Sequence, residues 1–220
     1  MKIARRTLVL TTGLFLTVSA FGYFFLYKGK YISVSKTKVL TATLSKEEDK
    51  KEILVRLNKK AKEAKDYVVD HEFDNKYCFL MDMRITSGKS RFFVYNLDED
   101  AVEIAGLVAH GSGVGINSDV PVFSNTPNSN CTSLGRYRIG KSYYGKFGLA
   151  YKLHGLDKTN SLAFNRFVVL HAHACVPNDE VAPSLICESW GCPTVSPAFL
   201  TQLKSYINNA SKPVLLWIYY

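Results

Sequence analysis

The chain has no internal repeat and no low-complexity tract, which excludes a collagen-like rod. Five cysteines in 220 residues are too few for a cysteine-stapled miniprotein, and 47% apolar composition excludes a disordered chain. Acidic side chains are outnumbered, 19 against 28 basic, for a formal charge of +9. The missing acids are not spread evenly. Residues 1–30 contain none and carry +5, residues 31–70 carry +3, and residues 71–220 carry only +1. No basic stripe with interleaved aromatics occurs in that last, nearly neutral stretch. Phosphate-backbone binding needs clustered Lys and Arg, so a nucleic-acid partner is excluded as the source of the charge.

The N-terminal excess brackets an apolar segment. Residues 1–6 form a short basic head, and residues 7–27 contain 21 uncharged, mainly apolar residues. That is about the ~20 residues a helix needs to cross a bilayer. Two readings stand: an uncleaved transmembrane anchor with an inside N-terminus, or a signal peptide cut near Val18-Ser19-Ala20. The apolar run continues through Phe21 to Tyr27, which favours the anchor. Both readings export the remainder to the periplasm or cell envelope, with the anchored form held on the inner membrane.

Residues 28–44 read as a connector, and residues 45–70 as an amphipathic helix. Ser45 and Glu48 have capping-box spacing, and Leu54, Leu57, Ala61, Ala64 and Val68 form one apolar stripe. Two heptads with two alanines are too little for a coiled coil, so the stripe is expected to dock on the domain. Residues 71–220 are mainly β. Strands are predicted over 78–84, 91–97, 101–109, 148–153, 167–172 and 214–220, with a helix opened by Ser196 and Pro197.

Two stretches carry chemistry. Val168 to His173 is an apolar strand ending in histidines; Glu188-Ser189-Trp190-Gly191-Cys192-Pro193 is a turn with a cysteine behind a glycine. A cysteine nucleophile reacts as the thiolate, and His171 is a base able to take its proton. His171 and His173 face the same side of a strand, but no paired-cysteine zinc spacing accompanies them, and no metal is expected. The glycines beside His110 lack a Walker pattern. If Cys192 is free, Cys78, Cys131, Cys175 and Cys187 allow three full pairings. A Cys175–Cys187 bridge would brace the loop between the two stretches, and free buried thiols remain the alternative.

Ordered matches over roughly 140 residues extend this local signal. They run from Val108-Ala109-His110-Gly111-Ser112-Gly113 through Phe123-Ser124-Asn125, Ser133-Leu134-Gly135-Arg136-Tyr137 and Tyr144-Gly145-Lys146-Phe147-Gly148. Leu153-His154-Gly155-Leu156-Asp157, Asn165-Arg166, Val169-Leu170-His171 and Ser189-Trp190-Gly191-Cys192-Pro193 follow. This region resembles the murein L,D-transpeptidase catalytic domain family, the YkuD-like branch. The resemblance implies a β-sandwich or barrel with peripheral helices, peptidoglycan stem peptides as substrate and acyl transfer through a thioester, with no cofactor. By residue, it implies Cys192 as nucleophile, His171 as base, the Ala172 carbonyl orienting the ring, and amides of Gly191 and Cys192 as the oxyanion hole. His110, Gly111, Ser124, Asn125, Ser133, Tyr144, Arg166, His173, Ser189 and Trp190 are the candidate substrate contacts. For Arg166 an ion pair with Asp157 or Asp82 is the competing expectation. Glu188 stands where relatives usually place a basic residue, and Ala172 where a glycine is usual.

Overall fold

A computed structural model describes residues 49–113 and 120–220. The proposed anchor (7–27), the connector (28–44) and the capping residues Ser45 and Glu48 lie outside the described residues. Among the described residues no helix is long and apolar enough to cross a membrane. The chain divides into two units, Met1–Ile53 and Leu54–Tyr220. Of the first only residues 49–53 are described, and they are helical.

The second unit is mainly β with two helices. Its strands are β1 Tyr77–Asp82, β2 Phe92–Asn96, β3 Ala101–Gly106, β4 Gly135–Gly145, β5 Gly148–Gly155, β6 Val169–Ala172, β7 Thr194–Val195 and β8 Leu215–Tyr219. They form one eight-stranded sheet in the order β3-β2-β1-β8-β4-β5-β6-β7. A sandwich of two hydrogen-bonded sheets is therefore not what forms. The reason is β8, whose Leu-Leu-Trp-Ile-Tyr run pairs parallel with β1 and antiparallel with β4 and so joins the two halves. The barrel-like aspect survives at the edges. Beyond the end of edge strand β3, Ala109 forms an antiparallel bridge with Thr194 of the opposite edge strand, β7. Gly111 bridges Ser189 beside it.

Side-chain alternation along the strands explains the two faces. Phe79, Met81, Phe92, Val94, Leu216 and Ile218 point to one side and are buried. Helix α2, Pro197–Asn209, covers them with Phe199, Leu200 and Leu203. Ser196 caps it by accepting from the Phe199 amide at 3.2 Å, with proline at the first helical turn as its spacing predicts. Phe92 sits edge-on between Phe79 and Phe199, with ring centroids 5.4 and 5.3 Å away. The first helix, α1, is helical over residues 49–70, and its part within this unit, from Leu54 on, covers the opposite face. Leu57, Ala61, Ala64 and Val68 are buried, whereas Leu54 is 45% exposed and falls outside the contact stripe. Lys60 lies 4.3 Å over the Trp217 ring, and Arg56 donates to the buried Asp82 carboxylate at 2.8 Å.

The longest strand, β4, is absent from the sequence reading. Only Tyr137 and Ile139 of its eleven residues are buried, and a register shift between Ile139 and Ser142 breaks the alternation. Its partner β5 turns back through Lys146 and Phe147, where Gly145 pairs with Gly148. That hairpin brings two side chains over the end of β6.

Candidate active site

The register of three strands builds the site. Strand β6 pairs antiparallel with β5, which places Ala150 opposite His171, and parallel with β7, which places Thr194 opposite His171. The His171 ring is buried and fixed at both nitrogens. Nδ1 lies 3.1 Å from the Ala172 carbonyl and Nε2 lies 3.0 Å from Thr194 Oγ1. A carbonyl only accepts, so Nδ1 carries the proton and Nε2 presents its lone pair. The Phe147 ring stacks at 5.2 Å from the His171 ring. Burial holds His171 below the ordinary imidazole value, opposed by the bond to Ala172 and assisted by nearby His173. At neutral pH it is a neutral base.

Cys192 follows a backbone kink. Gly191 has φ +107°, a conformation L side chains rarely adopt, and a Cβ there would lie 2.7 Å from the Cys131 carbonyl oxygen. Gly111 packs against it from the other side, where a Cβ would come within 2.7 Å of Gly191 Cα. These two glycines let three backbone segments touch behind Cys192. Ser189 ties the turn: its hydroxyl donates to the Cys192 carbonyl at 2.6 Å and accepts from the Gly191 amide at 3.1 Å. The Gly191 amide thus rests on the Ser189 hydroxyl in this structure. Among the described residues, the Cys192 amide meets no protein acceptor and remains available to an oxyanion. The Cys192 thiol lies 3.8 Å from the Phe167 carbonyl. Burial raises its pKa, opposed by the Val169 backbone and the charge of Arg166. The resting pair is therefore thiol and imidazole, each held on a partner other than the other.

Both side chains open onto one cleft of about 430 Å³. His173, Ser189 and Trp190 line it, Trp190 with 80% of its surface exposed. Lys146 and Phe147, from the β4–β5 hairpin, line it too. Tyr144 is four-fifths exposed on the same hairpin and does not line the cleft, because alternation turns it away. A disulfide joins Cys175 to Cys187, both on the cleft wall, and leaves Cys78, Cys131 and Cys192 free.

The other expected contacts lie behind the wall. Arg166 donates to the carbonyls of Ser124 and Cys131 at 2.9 and 2.7 Å and to the Ser133 hydroxyl at 2.5 Å. It pairs with neither acid considered for it: Asp157 binds Arg136 and Asp82 binds Arg56. Ser133 donates to the Ser124 carbonyl, and Asn125 holds Ser161 and the Leu162 amide. Ser124, Ser133 and Arg166 thus form a brace around the Cys131 carbonyl against which Gly191 packs, while Asn125 ties its own loop to Ser161 and Leu162. Gly111 donates to Thr132 Oγ1 within the same packing. His110 is buried, with Nδ1 2.9 Å from Arg91 and Nε2 3.8 Å from Glu188. Burial and the Arg91 cation push its pKa down to about 4. Of Arg91, His110 and Glu188, Glu188 reaches the cleft. Sequence reasoning missed Thr194; the readable signal was its β-branched Thr-Val pair just after Cys-Pro, a two-residue strand.

The family model for the L,D-transpeptidase catalytic domain matches residues 45–219, and the chain belongs to that family. The match takes in α1 as well as the sheet. Among curated proteins none matches. Among solved structures, the crystal structure of an L,D-transpeptidase from Xylanimonas cellulosilytica DSM 15894 is similar at TM-score 0.38 and 14% identity. The alignment covers 65% of this chain and 60% of that one.

Proposed function

We propose that the protein is an L,D-transpeptidase that cross-links peptidoglycan stem peptides through a Cys192 thioester. The observation that carries the reading is convergence: a half-buried thiol and a neutral, tautomer-locked imidazole open onto one cleft in a chain of this family. Attack begins when Sγ leaves the Phe167 carbonyl and gives its proton to His171 Nε2, whose lone pair the Thr194 hydroxyl releases at that step. Sγ then bonds to the carbonyl carbon between the third, diamino residue and the terminal D-alanine. The Cys192 amide faces the developing oxyanion. His171 returns the proton to the departing D-alanine amine, leaving the thioester. The amine of a neighbouring stem next displaces Sγ and links third residue to third residue. Water in its place would release a tripeptide, an L,D-carboxypeptidase outcome. Residues 7–27 are proposed to anchor the protein in the inner membrane with residues 71–220 outside the cytoplasm as the catalytic domain. The Cys175–Cys187 bridge accords with an oxidising compartment.

The test uses the full chain in detergent with a disaccharide-tetrapeptide, followed by mass spectrometry. Loss of D-alanine with a dimeric product, absent in Cys192→Ala, is expected. Full activity in that variant refutes the mechanism. An inert wild-type protein that still retains the substrate is instead a wall-binding member of the fold.

A further inference from the structure

Thr194 is placed by the parallel ladder directly beside His171, and its hydroxyl is 97% buried with the rest of its side chain. Its Oγ1 has one proton and two acceptors within reach, His171 Nε2 at 3.0 Å and the Cys192 carbonyl at 3.3 Å. In the resting state that carbonyl already accepts from Ser189 at 2.6 Å, whereas Nε2 has the Thr194 hydroxyl as its donor. The proton therefore lies on the Nε2 side. A buried ring nitrogen without a donor would be costly, so the hydroxyl satisfies it.

Protonation of His171 reverses the requirement. Nε2 then carries hydrogen and needs an acceptor, and the Cys192 carbonyl has a second lone pair free for the hydroxyl. We infer that Thr194 is a positioning residue that holds the His171 ring in both protonation states by swinging its O–H from Nε2 to the Cys192 carbonyl. This inference rests on the proposed mechanism only for its purpose. The S–H bond breaks with its electron pair left on sulfur, an N–H bond forms at Nε2, and the new hydrogen is shared with Thr194 Oγ1 until a leaving amine offers its lone pair. The switch also connects the base to the backbone of the nucleophile, since the second acceptor belongs to Cys192 itself. Hydrogen bonds to a charged group are stronger than neutral ones, so the hydroxyl favours the imidazolium over the imidazole. The other charged or titratable groups around the ring are His173 beside it on the chain, Lys146 on the hairpin, Glu188 on the cleft wall and the Cys192 thiol.

The test reads His171 directly and needs no substrate. The full chain in detergent, labelled with ¹⁵N at its five histidines, is titrated by long-range proton–nitrogen correlation, with His171→Gln to assign the signal. Wild-type protein should show the Nδ1-protonated tautomer. Thr194→Val keeps the side-chain shape and should lower the His171 pKa by about 0.5–1 pH unit, while Thr194→Ser restores the wild-type value. In turnover the acid limb should move the same way, with kcat falling and KM little changed. An unchanged or raised His171 pKa in Thr194→Val overturns the proposal. If Thr194→Val lacks the wild-type circular dichroism, Thr194→Ala against Thr194→Ser makes the same comparison. A shifted pKa in a protein without turnover would leave the switch standing and sink the transpeptidase reading.

Discussion

Two glycines with positive φ offer a matched measurement of what the Cys192 turn demands. Gly148 sits at the hairpin corner with φ +79°, and a Cβ there would meet nothing within 4 Å. Gly191 has φ +107°, and its Cβ would lie 2.7 Å from the Cys131 carbonyl oxygen and 3.3 Å from its carbon. Both substitutions to alanine incur backbone strain of order 1–3 kcal/mol. Only Gly191→Ala adds a collision with backbone, and that backbone is pinned by Arg166 at the Cys131 carbonyl, so it yields poorly. Overpacking of this kind costs a further ~1–3 kcal/mol. With about 2–4 °C of melting temperature per kcal/mol for a domain of this size, Gly148→Ala should lose about 2–12 °C and Gly191→Ala about 4–24 °C. At equal strain the second loss exceeds the first, and Gly191→Ala should also lose turnover by 100-fold or more, because the displaced turn carries Cys192, the proposed nucleophile. Thermal circular dichroism of both variants, with turnover measured alongside, checks this. Equal melting losses, or a Gly191→Ala protein with wild-type turnover, would refute the argument that close backbone packing positions Cys192.

Two further outcomes follow from the buried groups. Unfolded His110 takes a proton near pH 6.5, the folded one only near about 4, so the unfolded state binds more protons between these values. Stability should therefore fall by up to ~3 kcal/mol as pH drops from about 6.5 to about 4, and His110→Asn should flatten that part of the curve. A urea-midpoint series in which the variant keeps the full slope would assign the effect elsewhere. Reduction of Cys175–Cys187 releases a loop of sequence separation 12 and should cost ~3 kcal/mol, with a mass gain of two protons. Unchanged mass after reduction under denaturing conditions would show that the bridge is absent.

The strands that the sequence displays are those whose residues are uniformly apolar or strictly alternating. Strands β1, β2, β6 and β8 come from such runs, and their observed ends fall within about two residues of the predicted ones. Strand β4 is hidden for the converse reason: half of it stands in solvent on the hairpin, and the register shift scrambles its period. The order of the strands is not legible at all, because it depends on β8 returning between β1 and β4, a pairing between segments far apart in the chain. At the site, Cys192 and His171 are legible as chemistry, since few residue types supply a nucleophile and a base. The polar side chains around them are not, because Ser, Asn and Arg serve substrates and backbone carbonyls equally well. Arg166 shows the difficulty. Its guanidinium suits a substrate carboxylate, yet the fold surrounds it with main-chain acceptors. Thr194 escapes notice because its role comes from cross-strand register.

The pairing of Cys175 with Cys187 has a consequence for the chemistry of storage and labelling. Of the three remaining thiols, Cys78 and Cys131 are 0% and 4% exposed, and burial pushes the Cys78 thiol up beyond any range in which it ionises in use. Cys192 is left without a rival. A maleimide or disulfide reagent applied to the native protein should mark a single position without any cysteine being removed by mutation. Being the most accessible of the three free thiols, Cys192 is also the first point for oxidation, so an air-aged sample would lose this thiol first and its fold much later.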